Sequence, residues 1–537
     1  RPAERDLTSR QVRIDVDRPS TVALTASQAA LRCAHLNCEH RHGGADSTVQ
    51  FIRHPGGTNV VRRRSTSKRW SLLAAGALSV AVVAAACGGG NSKASDTTTG
   101  DGEQSAGKPV SGGEVTYALE AENSGGWCLP EGQLAIAGIQ VARTIYDTLT
   151  APDENGDYKP FLAKSVEPNA DFTQWTVTLR DGVKFHDGSP LNSTVIKNNL
   201  DAYRGKYPAR KPLLFLFVLQ NIESVDVVDN LTLTVTTKTP WPAFPAYLHS
   251  SGRLGMMAQA QLDDPATCDK NLIGTGPFKL KEWKVDDHLT AVKNPDYWNK
   301  DSSGNQLPYL DQITYRPIPD GDARVNALLA GEVNAMHTAG AENIDRLRTE
   351  KDNGKVALVE SDKFAETNYV MLNASKPPFD NINARLAAAY ALDRKSFNEV
   401  RNLGLMQVAS GPFAEGSVGY LKDAGFPQYN LDKAKEYSAK YTAETGQPIE
   451  ITVLSTPDPS TVKSAQFIQE QVQKAGIKVN LKTVEQAALI SNALGSDWNA
   501  MAFRNHPGGA PDLQYVWWHG GSPVNFGKID DPEIDKA

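Results

Sequence analysis

Cysteine is scarce in this chain, with five in 537 residues. Cys33 and Cys38, with His35, His40 and His42 beside them, match no standard zinc-ligand spacing, so no metal site is expected there. Long apolar runs are missing too: the uncharged stretch at 71–86 falls short of the roughly 20 residues that span a bilayer. Positive charge is lacking after residue 70. The first 70 residues hold 13 Lys and Arg against 6 Asp and Glu, and the remainder 43 against 56. So acidic a surface is unsuited to neutralising phosphates, which excludes nucleic acid as a partner. Hydrolase signatures are also absent. There is no G-x-S-x-G and no H-E-x-x-H, and although Ser460-Thr-Val-Lys463 satisfies S-x-x-K, neither S-D-N nor K-T-G follows. No catalytic residue and no cofactor are therefore expected. A secreted serine hydrolase is the rival class set aside on these grounds.

The chain has 40% hydrophobic and 22% charged residues with a net charge of −6, an ordinary soluble composition, and it is too long for one core. Residues 1–60 carry few periodic apolar runs and are expected to be a disordered leader upstream of the true start. A basic stretch at 61–70 then precedes the apolar run, as in a signal peptide. Ala84-Ala85-Ala86-Cys87 resembles a bacterial lipobox, with Ala84 where Leu is usual; the resemblance implies a lipidated Cys87 and a protein anchored on the outer face of the cell membrane. Residues 88–112, rich in Gly, Ser and Thr, read as a flexible tether. Gly102 to Lys108 matches P-loop spacing by chance, since Pro109 stands where a hydroxyl must reach magnesium and no strand precedes it.

Beyond the tether the hydrophobic pattern alternates between two periods. Residues 114–120, 175–179 and 231–237 read as strands, the last as an edge. Residues 133–149 have helical spacing, and Pro242 and Pro245 exclude a regular helix at 241–257. Asp153 to Asp157 is a hairpin turn lacking the length and closing Glu of a calcium loop. A helix opening at Asp320 and closed by Gly331 joins two strands. Farther on, strands at 449–454, 477–481 and 498–503 alternate with helices, predicting a parallel sheet with its crevice at the carboxyl ends. Cys128 and Cys268 are the two cysteines left in the mature part, and outside the cytoplasm they are expected to bridge.

Four stretches carry a more specific signal. Residues 271–298 contain Gly274-Thr-Gly-Pro-Phe278 and Asn294-Pro-Asp-Tyr-Trp298; residues 161–188 contain L-A-x-S and L-R-x-G-V-K-F-H-D-G; residues 367–394 contain Y-x-x-L-N-x-x-x-P-P-F-D and A-x-D-R. Gly274 and Gly276 are read as turn residues with positive φ, and His186 as a structural hydrogen-bonding group. These blocks resemble the family 5 extracellular solute-binding proteins, the peptide and nickel receptors of ABC importers; residues 307–337 are also similar to the family's strand, helix and short strand.

The resemblance implies an α/β, two-lobed periplasmic-binding-protein-like fold of the large three-subdomain type with mixed sheets. The first lobe is expected over 113–367, with 113–150 and 271–367 as core and 151–270 inserted, and the second over 368–537. Family chains continue for some tens of residues, so a truncated second lobe is expected. Ligand contacts are expected from Glu120, Asn123, Trp127 and Trp517, with Trp518 beside it, and from Arg504, Asn505, His506 and Asp512. Family members that bind peptides usually place an Asp just after the strand at 498–503, where this chain has Arg504-Asn505-His506. The implied partners are a small solute, by default an oligopeptide, and the transmembrane subunits of an ABC permease; the receptor itself is expected to be a monomer. A ligand-sensing lipoprotein without transport is the alternative.

Overall fold

A computed structural model describes residues 109–123, 125–132, 134–361, 366–504 and 516–536. The leader, the signal peptide with Cys87 and most of the tether lie outside the described residues, as do Asn505, His506 and Asp512. Strand β1 (Glu114–Leu119) leads into the helix Ile136–Ile145. That helix is shorter than its apolar spacing predicts. Tyr146 is already extended, because the Ile145 carbonyl leaves the helical ladder to accept the N–H of Gly276 at 2.9 Å. β2 (Thr150–Pro152) and β3 (Tyr158–Pro160) pair antiparallel across the turn at Asp153, whose carboxylate accepts the N–H groups of Asn155 and Asp157.

β4 (Ala163–Pro168), β5 (Gln174–Leu179), β6 (Ile222–Val227) and β7 (Thr232–Thr237) form an antiparallel sheet in the order β4-β5-β7-β6. Along β5, Trp175, Val177 and Leu179 point inward while the alternate residues do not, which is the period-two pattern of a strand with one face in the core. β7 is central in this sheet rather than at its edge. Thr232, Thr234 and Thr236 are only half-buried, but backbone pairing on both sides does not depend on how polar that face is. Pro245 is accommodated in a single helical turn, Phe244–Tyr247, where a first-turn proline sacrifices no intrahelical hydrogen bond.

β8 (Phe278–Lys284), β9 (His288–Lys293), β10 (Gln312–Pro317) and β11 (Ala335–Met336) join β1 in a mixed sheet ordered β11-β1-β10-β9-β8. β1 runs parallel to both β10 and β11, so the carboxyl ends of these three strands lie together. One large core serves this sheet and the β4–β7 sheet, with Trp127, Ile145, Trp175, Leu200 and Phe244 among its buried members. A disulfide joins Cys128 to Cys268 within it.

β12 (Asn368–Leu372), β13 (Glu450–Ser455), β14 (Lys478–Thr483) and β15 (Ala500–Arg504) form a second mixed sheet, ordered β12-β15-β13-β14. β13 is parallel to β14 and β15, as the strand, helix, strand alternation predicts, whereas β12 runs antiparallel to β15. The helices Ile382–Ala391, Leu431–Thr445 and Pro459–Gln473 have buried residues in a second core around Phe379 and Ile477. The two bodies meet through apolar side chains. Leu214 and Phe217, from the β5–β6 connection, belong to a cluster with Met371, Leu454, Ile490 and Met501. The helices Ala341–Asp352 and Arg394–Asn402 also touch. Among the described residues no helix is long and apolar enough to cross a membrane.

Candidate functional site

The carboxyl ends of β1, β10 and β11 form one edge of the first body, and the parallel β13, β14 and β15 form the corresponding edge of the second. In open α/β sheets such edges are where ligands bind. Glu120 follows β1 directly. Its Oε1 accepts a hydrogen bond from Nδ1 of His337 at 3.2 Å and stands 3.8 Å from Nη2 of Arg324. Burial pushes the Glu120 carboxyl up, but the His337 hydrogen bond, the His337 and Arg324 charges and the Ala339 backbone outweigh it, and the net direction is down. The carboxylate is thus held ionised. Arg324 lies beneath it, buried, and donates through Nη1 to the carbonyls of Ile318 at 2.6 Å and Pro319 at 3.0 Å.

Position is set by the local fold. Asp320 caps the helix Gly321–Leu329 by accepting the Ala323 N–H, which starts the helix at the end of β10 and turns Arg324 back beneath Glu120. His337 follows the two-residue strand β11. Neither Arg324 nor His337 was expected at the site from sequence. The capped helix start pointed to the right element, but a pairing over 217 positions has no local signal.

Asn123 and Trp127 are brought together, though not at an open surface. Both line a small cavity with Leu119, Val141, Leu289 and Tyr315. Trp127, expected to offer apolar contact to a ligand, lies in the first body's core. It is 1% exposed, its ring packs edge-on against Trp283 with centroids 5.8 Å apart, and its backbone N–H donates to the Asp269 carbonyl. The neighbouring disulfide draws the loop inward, and Gln261 fastens it by donating to the carbonyls of Trp127 and Cys268. Asn123 is occupied locally through Nδ2, which donates to the Gly126 carbonyl at 2.8 Å.

Trp517 is half-buried, 5.9 Å between centroids from Phe526, and packs against the first body's core as well as its own cluster. Its neighbour Trp518 faces Tyr369 at 6.0 Å. Arg504 ends β15 opposite Asn368. Among the described residues no group of three or more His, Cys, Asp and Glu is placed to hold a metal.

The sequence blocks singled out above interlock elsewhere. His186 donates its backbone N–H to the Gly274 carbonyl, and the Gly274 N–H donates to His186 Nδ1 at 3.3 Å. With Nδ1 accepting, Nε2 carries the proton and donates to the Gly276 carbonyl at 3.0 Å. Burial pushes this imidazole down to about 4. Gly274 and Gly276 do not have positive φ, which corrects their reading as turn glycines. They are needed for close approach: a Cβ on Gly274 would stand 2.0 Å from the Ile145 carbonyl oxygen, and one on Gly276 2.6 Å from its carbon.

The fold and the paired strand edges define a two-body binding-protein architecture. A family description, "bacterial extracellular solute-binding proteins, family 5 Middle", matches residues 157–527. The chain belongs to that family. It is 31% identical over 348 residues to the glutathione-binding protein GsiB of Pectobacterium atrosepticum, covering 64% of each chain, so it spans just under two thirds of that relative's length. Among solved structures it is similar to the oligopeptide-binding protein AppA of Bacillus subtilis in complex with a nonapeptide, at 26% identity and TM-score 0.69, over 80% of this chain and 86% of that one. The periplasmic binding protein DppA of Helicobacter pylori, in complex with the peptide STSA, shares the two-lobed fold at TM-score 0.70 and 23% identity, over 80% and 86% of the chains.

Proposed function

We propose that this protein is an extracytoplasmic receptor that closes its two lobes over a small solute, an oligopeptide in the first instance, and delivers it to an ABC permease in the membrane. Family membership over residues 157–527 carries the reading. It is supported by the placement of Glu120 at the carboxyl edge of the first lobe's parallel strands and of Trp517 against the first lobe's core from the second. The names of the relatives, one binding glutathione and one holding a nonapeptide, point to the same ligand class. Closure needs no covalent chemistry, because the ligand shifts an open and closed equilibrium by its better fit to the closed form. Lipidation at Cys87 would keep the receptor on the outer face of the cell membrane, and Arg504, Asn505, His506 and Asp512 would complete the second lobe's wall. Native mass spectrometry of the purified protein, followed by thermal shift across a peptide library that includes glutathione, tests this. A co-purified or stabilising peptide is the expected result; no shift with any member of the library overturns the peptide assignment.

A further inference from the structure

We infer that Glu120 and His337 form the first lobe's anchor for a primary ammonium group on the ligand, an inference that rests on the receptor reading above. Both side chains remain partly open, at 27% and 38% exposure, while Arg324 is closed off beneath them at 5%. A carboxylate only accepts hydrogen bonds, so the Nδ1 of His337 facing Glu120 carries the proton and orients the carboxylate. Arg324 Nη1 is spent on two backbone carbonyls. What is left for a ligand is therefore an acceptor, the ionised carboxylate of Glu120, which suits a donor-rich cation.

Placement agrees with this chemistry. Glu120 and His337 follow adjacent parallel strands at their carboxyl ends. The helix Ala341–Asp352, a few residues past His337, touches the second-lobe helix Arg394–Asn402, so this corner lies beside the boundary that closes. Arg324 positions the carboxylate from below, and its Nε is buried without a partner.

The test is isothermal titration at pH 8 of the wild-type protein, Glu120→Gln and His337→Gln with glutathione, trialanine and N-acetyl-trialanine, with melting temperatures confirming that each variant folds. Wild type should bind at least one free-amine probe, with trialanine preferred over its acetylated form by about tenfold or more. In Glu120→Gln the ratio should collapse toward one, and in His337→Gln, altered at a partly exposed residue, it should fall in the same direction. A wild type that binds a free-amine probe while both folded variants keep its affinity and selectivity overturns the anchor and leaves the receptor standing. Equal binding of trialanine and N-acetyl-trialanine by wild type also overturns it. A wild type that binds none of the probes overturns the anchor, while the peptide assignment is decided by the library screen above.

Discussion

The indole N–H of Trp298 donates to Oδ2 of Asp147 at 2.8 Å, tying together residues 151 positions apart. The same carboxylate accepts the Thr275 hydroxyl at 3.0 Å and faces the Tyr297 hydroxyl at 3.4 Å, and Arg180 lies over the Trp298 ring at 4.7 Å. Asp147 is thus the point on which the blocks around Arg180, Thr275 and Trp298 converge. Asp147→Ala orphans buried donors, and the expected loss is about 3 kcal/mol in urea unfolding. A loss below about 1 kcal/mol would show that the hub is dispensable.

Acid should weaken the fold through two histidines. Burial pushes His186 down to about 4; His249 is also brought to about 4 by burial first and then by the Arg143 charge. A depressed folded value gives stability present above the unfolded value of about 6.5 and lost as pH falls through about 4. Asp147 acts oppositely: burial raises it to about 6, so its contribution is full below about 3.8 and is lost as pH rises through about 6. Two histidines outweigh one aspartate, and unfolding free energy should fall between pH 7.5 and 4.5. In His186→Gln that fall should shrink by about 2 kcal/mol; an unchanged slope would remove His186 as a source.

Glycine replacement separates close approach from backbone freedom. Gly274→Ala drives a methyl into the Ile145 carbonyl and should cost about 3 kcal/mol or more. Gly182→Ala, at φ +74 with open space around its Cβ position, should cost about 1 kcal/mol. Melting temperatures of the two variants decide the matter, and similar shifts would contradict the crowding account.

Much of the fold is legible in the sequence where the signal is local. The alternation of Trp175, Val177 and Leu179, and the parallel arrangement of β13 and β14, follow from short-range periodicity. The site is less legible because its contacts are distant. His337 reaches Glu120 across 217 positions, with nothing near either residue to indicate the other. The burial of Trp127 is hidden for a related reason: its loop is tied into the core by the bridge from Cys128 to Cys268, 140 residues away. The motif blocks identify the family while building a structural junction, so they say little about the ligand.

Lobe closure should depend on the contact made by Leu214 and Phe217. These side chains leave the β5–β6 connection and pack among Met371, Leu454, Ile490 and Met501, so part of the second lobe's apolar surface is covered by the first. Leu214 is 9% exposed in this arrangement, and separating the lobes would return it to water. Phe217→Asp would set a carboxylate against that cluster, at a cost the closed form bears and the open form does not. The expected result is a larger radius of gyration in small-angle scattering of the ligand-free protein, and in a receptor that works by closure, at least tenfold weaker solute binding. Leu214→Ala, a milder change costing the contact about 2 kcal/mol, should move both readouts in the same direction by less. An unchanged scattering profile for Phe217→Asp would show that this apolar contact does not hold the lobes together.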